Sequence, residues 1–285
     1  MVDKLNAFKM IDKNFDLSES TALITGAAGL LGFQHAAALI ESGCSVVLTD
    51  LSTRSLEETE EKLRIKYNKC NLIHHKMDVT DIESIKSVSE TLISNNLHVD
   101  ILINNAALNP KVNSDLKTNN PTKFENLSKS QWEKEIEVGL TGAFLSSQIF
   151  GLEMTKFKKG VILNVASDLS VIAPDQRIYK KNNNNSDNQF YKPVTYSAIK
   201  TGLIGLTKYI ATYWAKEGIR CNAISPGGVF DNQDKDFLLK VENLIPVGRM
   251  AKKDEYKSAI KFLCSDASSY MTGFNMVIDG GRHVW

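Results

Sequence analysis

The chain has 285 residues, 34 Lys plus Arg against 33 Asp plus Glu, and a formal charge of +1. That length suits one large α/β domain with ample core, and the even charge balance gives no reason to expect nucleic acid or an anionic membrane as a partner. The four scattered cysteines (Cys44, Cys70, Cys221, Cys264) form no C-x-x-C pair, the start carries Asp3, Lys4, Lys9, Asp12 and Lys13, and no run approaches the roughly 18 apolar residues of a spanning helix. A soluble, cytoplasmic protein with reduced thiols is the expectation.

Residues 1–19 form a polar lead-in. An apolar run at 21–25, too short for a helix, reads as a buried strand and opens onto Gly26-Ala-Ala-Gly29-Leu30-Leu31-Gly32. A helical segment follows to about Ser42, then a strand from Val46 that closes on Asp50. Ser52 can cap a helix carrying Leu56, Leu63 and Tyr67, a third strand at 72–77 ends at Asp78-Val79, and Thr80-Asp81 start a helix to about Ser94. A strand at 99–103 runs into Asn104-Asn105-Ala106-Ala107. A polar loop at 108–128, a long helix at 130–154 and a strand at 160–166 come next. Residues 168–194 are irregular, with an asparagine-rich run at 180–188. A helix at 195–216, a strand at 219–224, short helices at 234–243 and 254–264, and a strand at 275–278 complete the order. This alternation predicts a single α/β domain, a Rossmann-type, doubly wound and mostly parallel seven-stranded sheet with helices on both faces.

The strand, glycine turn, helix and strand at 21–50 suit a dinucleotide. Glycine lets the backbone approach a pyrophosphate, the helix amino end offers unpaired N–H groups, and Asp50, 18 residues past Gly32, can accept from both adenosine ribose hydroxyls. Tyr196-Ser-Ala-Ile-Lys200 places a phenol and an ammonium four apart on one helix face, and Ser167 lies just past the fifth strand. A phenol, with a pKa of about 10, exchanges protons near neutrality only when its anion is stabilised, as a neighbouring ammonium would do. No metal-ligand spacing is found; His74 and His75 alternate faces on a strand.

From about residue 18 to 282 the chain resembles the short-chain dehydrogenase/reductase family. The glycine turn, Asp50, Asp78-Val79, Asn104-Asn-Ala-Ala107, Asn164-Val-Ala-Ser167, Tyr196-x-x-x-Lys200, Pro226-Gly227 and Asp279-Gly-Gly281 carry the likeness. The late markers belong to its compact branch, whereas Leu30, where glycine is usual, and the turn's spacing resemble the longer sugar-nucleotide branch. The resemblance implies NAD as cofactor and Ser167, Tyr196 and Lys200 as catalytic residues. It further implies that Gly26, Gly29, Leu30, Leu31, Gly32, Asp50 and Leu51 hold the cofactor, with Asp78 and Val79 at the adenine and Asn105 and Ala106 at its ribose. Tyr196 and Lys200 also meet the cofactor, and Pro226, Gly227 and Val229 border the carboxamide. It implies a small-molecule substrate and a homo-oligomer, a dimer or tetramer, built through the helices at 130–154 and 195–216.

Two departures stand out. Gly139 occupies the place of the family's usual relay asparagine and leaves room for an extra water. Ser167 and Tyr196 lie 29 residues apart, so the stretch between them carries an insertion, read either as surface drift or as a substrate lid over 175–192 whose polar composition packs poorly alone. It resembles insertions in bacterial relatives linked to surface-sugar and flagellin-sugar biosynthesis, which favours a sugar-like secondary alcohol or ketone as substrate. A sugar-nucleotide epimerase or dehydratase with retained NAD, and a non-catalytic dinucleotide sensor, are the competing readings.

Overall fold

The computed structural model describes residues 13–108, 120–180 and 189–285. Most of the lead-in, much of the polar loop after Leu108 and nearly all of the asparagine run lie outside them. Strands β1 (Thr21–Thr25), β2 (Ser45–Asp50), β3 (Leu72–Lys76), β4 (Ile101–Asn104), β5 (Gly160–Val165), β6 (Ile219–Pro226) and β7 (Asn275–Ile278) form one sheet. Their order is β3-β2-β1-β4-β5-β6-β7, and every pairing is parallel. The predicted fold class is therefore observed.

The helices among the described residues are α1 (Leu30–Ile40), α2 (Thr53–Lys66), α3 (Ile82–Ser94), α4 (Lys129–Ile136), α5 (Gly142–Phe157), α6 (Val194–Tyr213), α7 (Lys235–Glu242) and α8 (Lys257–Cys264). Because side chains alternate along a strand, neighbours such as Leu23 and Ile24 serve opposite faces. Ile24, Val46, Leu48, Ile103 and Leu163 pack with α1, α2 and α8; Leu23, Val47, Leu102 and Ile162 pack with α3, α5 and α6. Burial on both faces is why these strands are continuous apolar runs. The lead-in is anchored by Leu17, which is buried and donates its N–H to Ser42 O at 2.8 Å.

The helix expected at 130–154 is two helices joined by a π-helical turn, Glu137–Thr141. Two glycines account for its fit against α6. A Cβ on Gly139 would stand 2.8 Å from Ile199 Cγ2, and one on Gly202 would stand 2.8 Å from Leu140 Cδ2, so each helix sets a branched side chain onto the other's glycine. The space a Gly139 side chain would need is thus taken by Ile199. The last helix is also shorter than its pattern suggested, beginning at Lys257. The arms of the insertion pack more firmly than its composition implied: Ile178 joins Val241, Ile245 and Met250 in a small core beneath α7.

One buried group makes the fold sensitive to acid. His35 of α1 is fully buried, and neither ring nitrogen has a hydrogen-bond partner among the described residues. Burial lowers its pKa from 6.5 to about 3. The unfolded chain therefore takes up this proton first, so the stability present above pH 6.5 is lost as pH falls through that value towards about 3. Between pH 6.5 and about 5 the loss is roughly 2 kcal/mol from this group. Urea unfolding across that range should show a flatter pH dependence in His35→Met than in the wild type; parallel curves would remove His35 from the account.

Candidate active site

Every strand is parallel, so the carboxyl ends of β1, β2, β4, β5 and β6 share one edge. The chain reverses its build direction between β1 and β4, which opens a crevice there. Gly26 leaves β1 with φ +63, and a Cβ on it would lie 2.8 Å from Ala106 Cα at the end of β4. Gly32, in the first turn of α1, would carry a Cβ 2.4 Å from Gly26 O, so only glycine lets this helix seat so tightly on its turn. Helices α2, α3, α4 and α7 begin with side-chain caps from Ser52, Asp81, Ser128 and Asp234. Gly29, the residue before α1, supplies none, and the amides of Leu30 and Leu31 open the helix at the crevice. That cradle of bare backbone fits a pyrophosphate.

Asp50 ends β2 beside this turn. Its Oδ2 accepts from Ala28 N at 3.2 Å and its Oδ1 from Leu51 N at 2.8 Å, while Leu51 is largely exposed. Oδ1 also accepts from Ser52 N at 3.4 Å, so of a carboxylate's roughly four acceptor positions the one left for a ribose hydroxyl lies on Oδ2. Arg54 turns aside to Glu58 at 3.1 Å. Asp78 holds its own loop, accepting from Thr80 N at 2.9 Å and Thr80 Oγ1 at 2.7 Å, and Val79 packs against Gly142. Asn105 braces the glycine turn through Nδ2, donating to Thr25 O at 3.0 Å and Gly26 O at 2.9 Å, and Ala106 N donates to Thr25 Oγ1 at 3.0 Å. Pro226 ends β6, Gly227 N donates to Ile278 O at 2.8 Å, and Val229 bridges to Ala251. These residues line the same edge from β1 to β6.

Ser167, Tyr196 and Lys200 converge at the end of β5. Lys200 Nζ donates to Val165 O at 2.7 Å and lies 5.7 Å from the Tyr196 ring centroid. Burial, then the charge of Lys192, lowers the Lys200 pKa to about 8. Burial raises that of Tyr196; the hydrogen bond with Ser167 works against this and the Asp168 charge adds to it. Ser167 Oγ also donates to Asp168 Oδ1 at 2.9 Å and accepts from Leu169 N at 3.2 Å. A hydroxyl rotates freely about its Cβ–Oγ bond, so the same proton can be re-aimed at a substrate oxygen.

Sequence reasoning missed the charges that surround this group. Asp168 is buried and pairs with Arg282 at 2.8 Å, across 114 residues of chain. Glu135 of α4 is buried and accepts from Thr195 Oγ1, next to Tyr196, and from Gln131 Nε2 at 2.5 Å. Lys192, which the sequence places only at the end of the inserted polar segment, sets its Nζ 3.7 Å from the Tyr196 ring centroid. A signal for Lys192 did exist: four residues before Tyr196, it needs only the extended backbone that Pro193 favours in its predecessor to return to the same site. Beside α6, a cavity of about 680 Å³ opens between Phe124, Leu169, Ile172, Pro174, Lys192 and Ser197. A larger one, of about 870 Å³, lies at the opposite sheet edge near Ser20, Asp100 and Ile219, away from every candidate residue.

The comparisons with known proteins agree with this architecture. The family model described as "Enoyl-(Acyl carrier protein) reductase" matches residues 26–283. The NAD-dependent glycerol dehydrogenase of Listeria innocua serovar 6a is 32% identical over 282 residues, covering 97% of this chain and 99% of that protein. The D-threitol dehydrogenase of Mycolicibacterium smegmatis is 31% identical, covering 96% of each. Among solved structures, a short chain dehydrogenase from Leptospira borgpetersenii with bound NAD+ superposes with a TM-score of 0.80 at 32% identity, over 96% of this chain and 97% of that one. The chain belongs to the short-chain dehydrogenase/reductase family of oxidoreductases.

Proposed function

We propose that this protein is an NAD(H)-dependent dehydrogenase acting on a secondary alcohol of a polyol or sugar derivative, or on the matching ketone. The observation that carries the proposal is the convergence of Ser167, Tyr196 and Lys200 beside a glycine cradle that ends at Asp50. The glycerol and threitol dehydrogenases among its relatives support a polyhydroxylated substrate.

The cofactor, when bound, supplies the hydride acceptor or donor. Gly26, Gly29 and Gly32 with the opening amides of α1 receive its pyrophosphate, and Asp50 receives its adenosine ribose. Asp78, Val79, Asn105 and Ala106 line the adenosine side of the crevice; Pro226, Gly227 and Val229 line the opposite side. The remaining work is done by side chains. Tyr196 Oη takes the alcohol proton in oxidation and returns it to the carbonyl oxygen in reduction. Lys200 favours the phenolate by charge, and Val165 O holds its ammonium in place. Ser167 donates to the substrate oxygen and fixes it beside Tyr196. The exposed faces of α5 and α6, which present Phe144, Leu152, Tyr209 and Tyr213, serve self-association in this reading.

Tyr196→Phe removes only a hydroxyl, so folding and NAD binding should survive while kcat for polyol oxidation falls roughly 10²–10⁴-fold. Turnover within a few-fold of wild type would refute the role given to Tyr196. Cofactor choice is a separate test. A 2′-phosphate at Asp50 would meet a like charge and lose the diol hydrogen bonds, so kcat/KM should favour NAD over NADP by about tenfold or more, and Asp50→Ser should narrow that ratio. Equal efficiency with both cofactors in the wild type would contradict this preference.

A further inference from the structure

The arms of the insertion are tied together at their base. Gln176 Nε2 donates to Lys192 O at 3.2 Å, Gln176 Oε1 accepts from Lys192 N at 2.9 Å, and Gln189 Nε2 donates to Gln176 O at 3.0 Å. Ile178 and Phe190 are each only 6% exposed, and the Tyr179 ring lies 5.4 Å from that of Phe190 and 5.7 Å from that of Phe237. This base fixes the backbone of Lys192 independently of its side chain. The ammonium it delivers is closer to the Tyr196 ring centroid, at 3.7 Å, than that of Lys200, at 5.7 Å.

A cation over a phenol is attracted by the electron-rich face of the ring. The attraction grows when the phenol ionises, because a full negative charge then sits on an oxygen conjugated with that ring. In a partly desolvated site such a pair interacts far more strongly than in water. Among the described residues, the other charged and titratable groups facing this pair come from several neighbouring elements. Asp168, after β5, opposes the phenolate, but Arg282 from the carboxyl-terminal turn neutralises it at 2.8 Å. Glu135 of α4 is held by Thr195 and Gln131. Tyr179 belongs to the insertion, and Lys200 lies one turn along α6. Burial brings both lysines to about 8, close to the range in which proton exchange with a phenol is effective.

We infer that Lys192 is a positioning residue for Tyr196: its ammonium, carried in by the base of the insertion, holds the ring and favours the phenolate alongside Lys200. The base of the inserted segment then helps to set the surroundings of the proton-transfer residue. Lys192 itself forms and breaks no bond. The inference rests on the reading of Tyr196 as the proton-transfer residue.

The test uses Lys192→Met, which removes the charge but keeps the apolar stem and the backbone bonds to Gln176, and Lys192→Arg, which keeps the charge. Titration of the cofactor-free proteins, followed by the ultraviolet absorbance of tyrosinate with Tyr196→Phe as the blank, reads the ionisation of Tyr196 directly. The expected result, read up to about pH 8 where Lys192 keeps its charge, is less tyrosinate in Lys192→Met than in the wild type and a wild-type amount in Lys192→Arg. The pH profile of kcat/KM for oxidation should move upward in Lys192→Met while the KM for NAD stays constant. If the methionine variant does not fold, Lys192→Gln removes the charge equally and is read in the same way. An unchanged Tyr196 pKa in a folded neutral variant overturns the inference. So does a rise in substrate KM without any pKa shift, which would make Lys192 a substrate-binding residue. Failure of the underlying reading shows separately, as retained turnover in Tyr196→Phe.

Discussion

The candidate site depends on a pair of asparagines set opposite each other on β4 and β5. Asn104 and Asn164 are register partners, and Asn104 Nδ2 donates to Asn164 Oδ1 at 2.8 Å and to Ser147 Oγ of α5 at 2.9 Å. Asn164 Nδ2 continues the chain to Thr207 Oγ1 of α6 at 2.8 Å. All four side chains are buried, and a buried polar group without a partner costs about 1–3 kcal/mol, so a slip of strand or helix would add to the one seam atom already without a partner among the described residues, Asn104 Oδ1. Its geometry reaches the chemistry directly. Tyr196, Lys200, Leu203 and Thr207 follow one face of α6 at helical spacing, so the bond that fixes Thr207 also aims Lys200 at Val165 O, one residue past Asn164. Ser167 stands two residues further on.

Above this seam the structure gathers charge. Lys200, Lys192 and Arg282 are set against Asp168 and Glu135 in a space largely closed to water, and each comes from a different part of the chain. Cations concentrate around a phenol that burial alone would keep protonated. Buried opposite charges are costly unless paired, which explains why Asp168 is bonded by both Ser167 and Arg282 and Glu135 by both Thr195 and Gln131. The described arms of the insertion belong to this arrangement through Lys192 and through the packing of Ile178 and Phe190.

The fold was legible because its signals are local. Short apolar runs alternate with helical spacing, and Asp50 follows the glycine turn within one β-α-β unit, so order, sheet and crevice could all be read in sequence. The π turn at Glu137–Thr141 was not legible, because it arises from the seating of Ile199 on Gly139 and of Leu140 on Gly202 between two helices. Nor could the Asp168–Arg282 pair be read, since nothing local links residues 114 positions apart. Lys192 was hidden by composition: in an asparagine-rich stretch it counts as one more solvated cation until the Gln176 clasp turns it inward. Asn105, read as a ribose neighbour, makes its observed bonds to the glycine turn, a bracing task that spacing alone does not reveal.

The central claim is that this edge of the sheet performs net oxidation of a carbinol with a proton passing through Tyr196. The most direct measurement incubates the protein with excess NAD and a panel of polyols and sugars, and quantifies both NADH and the carbonyl product of each. The account predicts one-to-one accumulation of the two with at least one polyol or sugar, absent in Tyr196→Phe. A converted substrate with no NADH released, or NAD binding with no conversion across the panel, would contradict it.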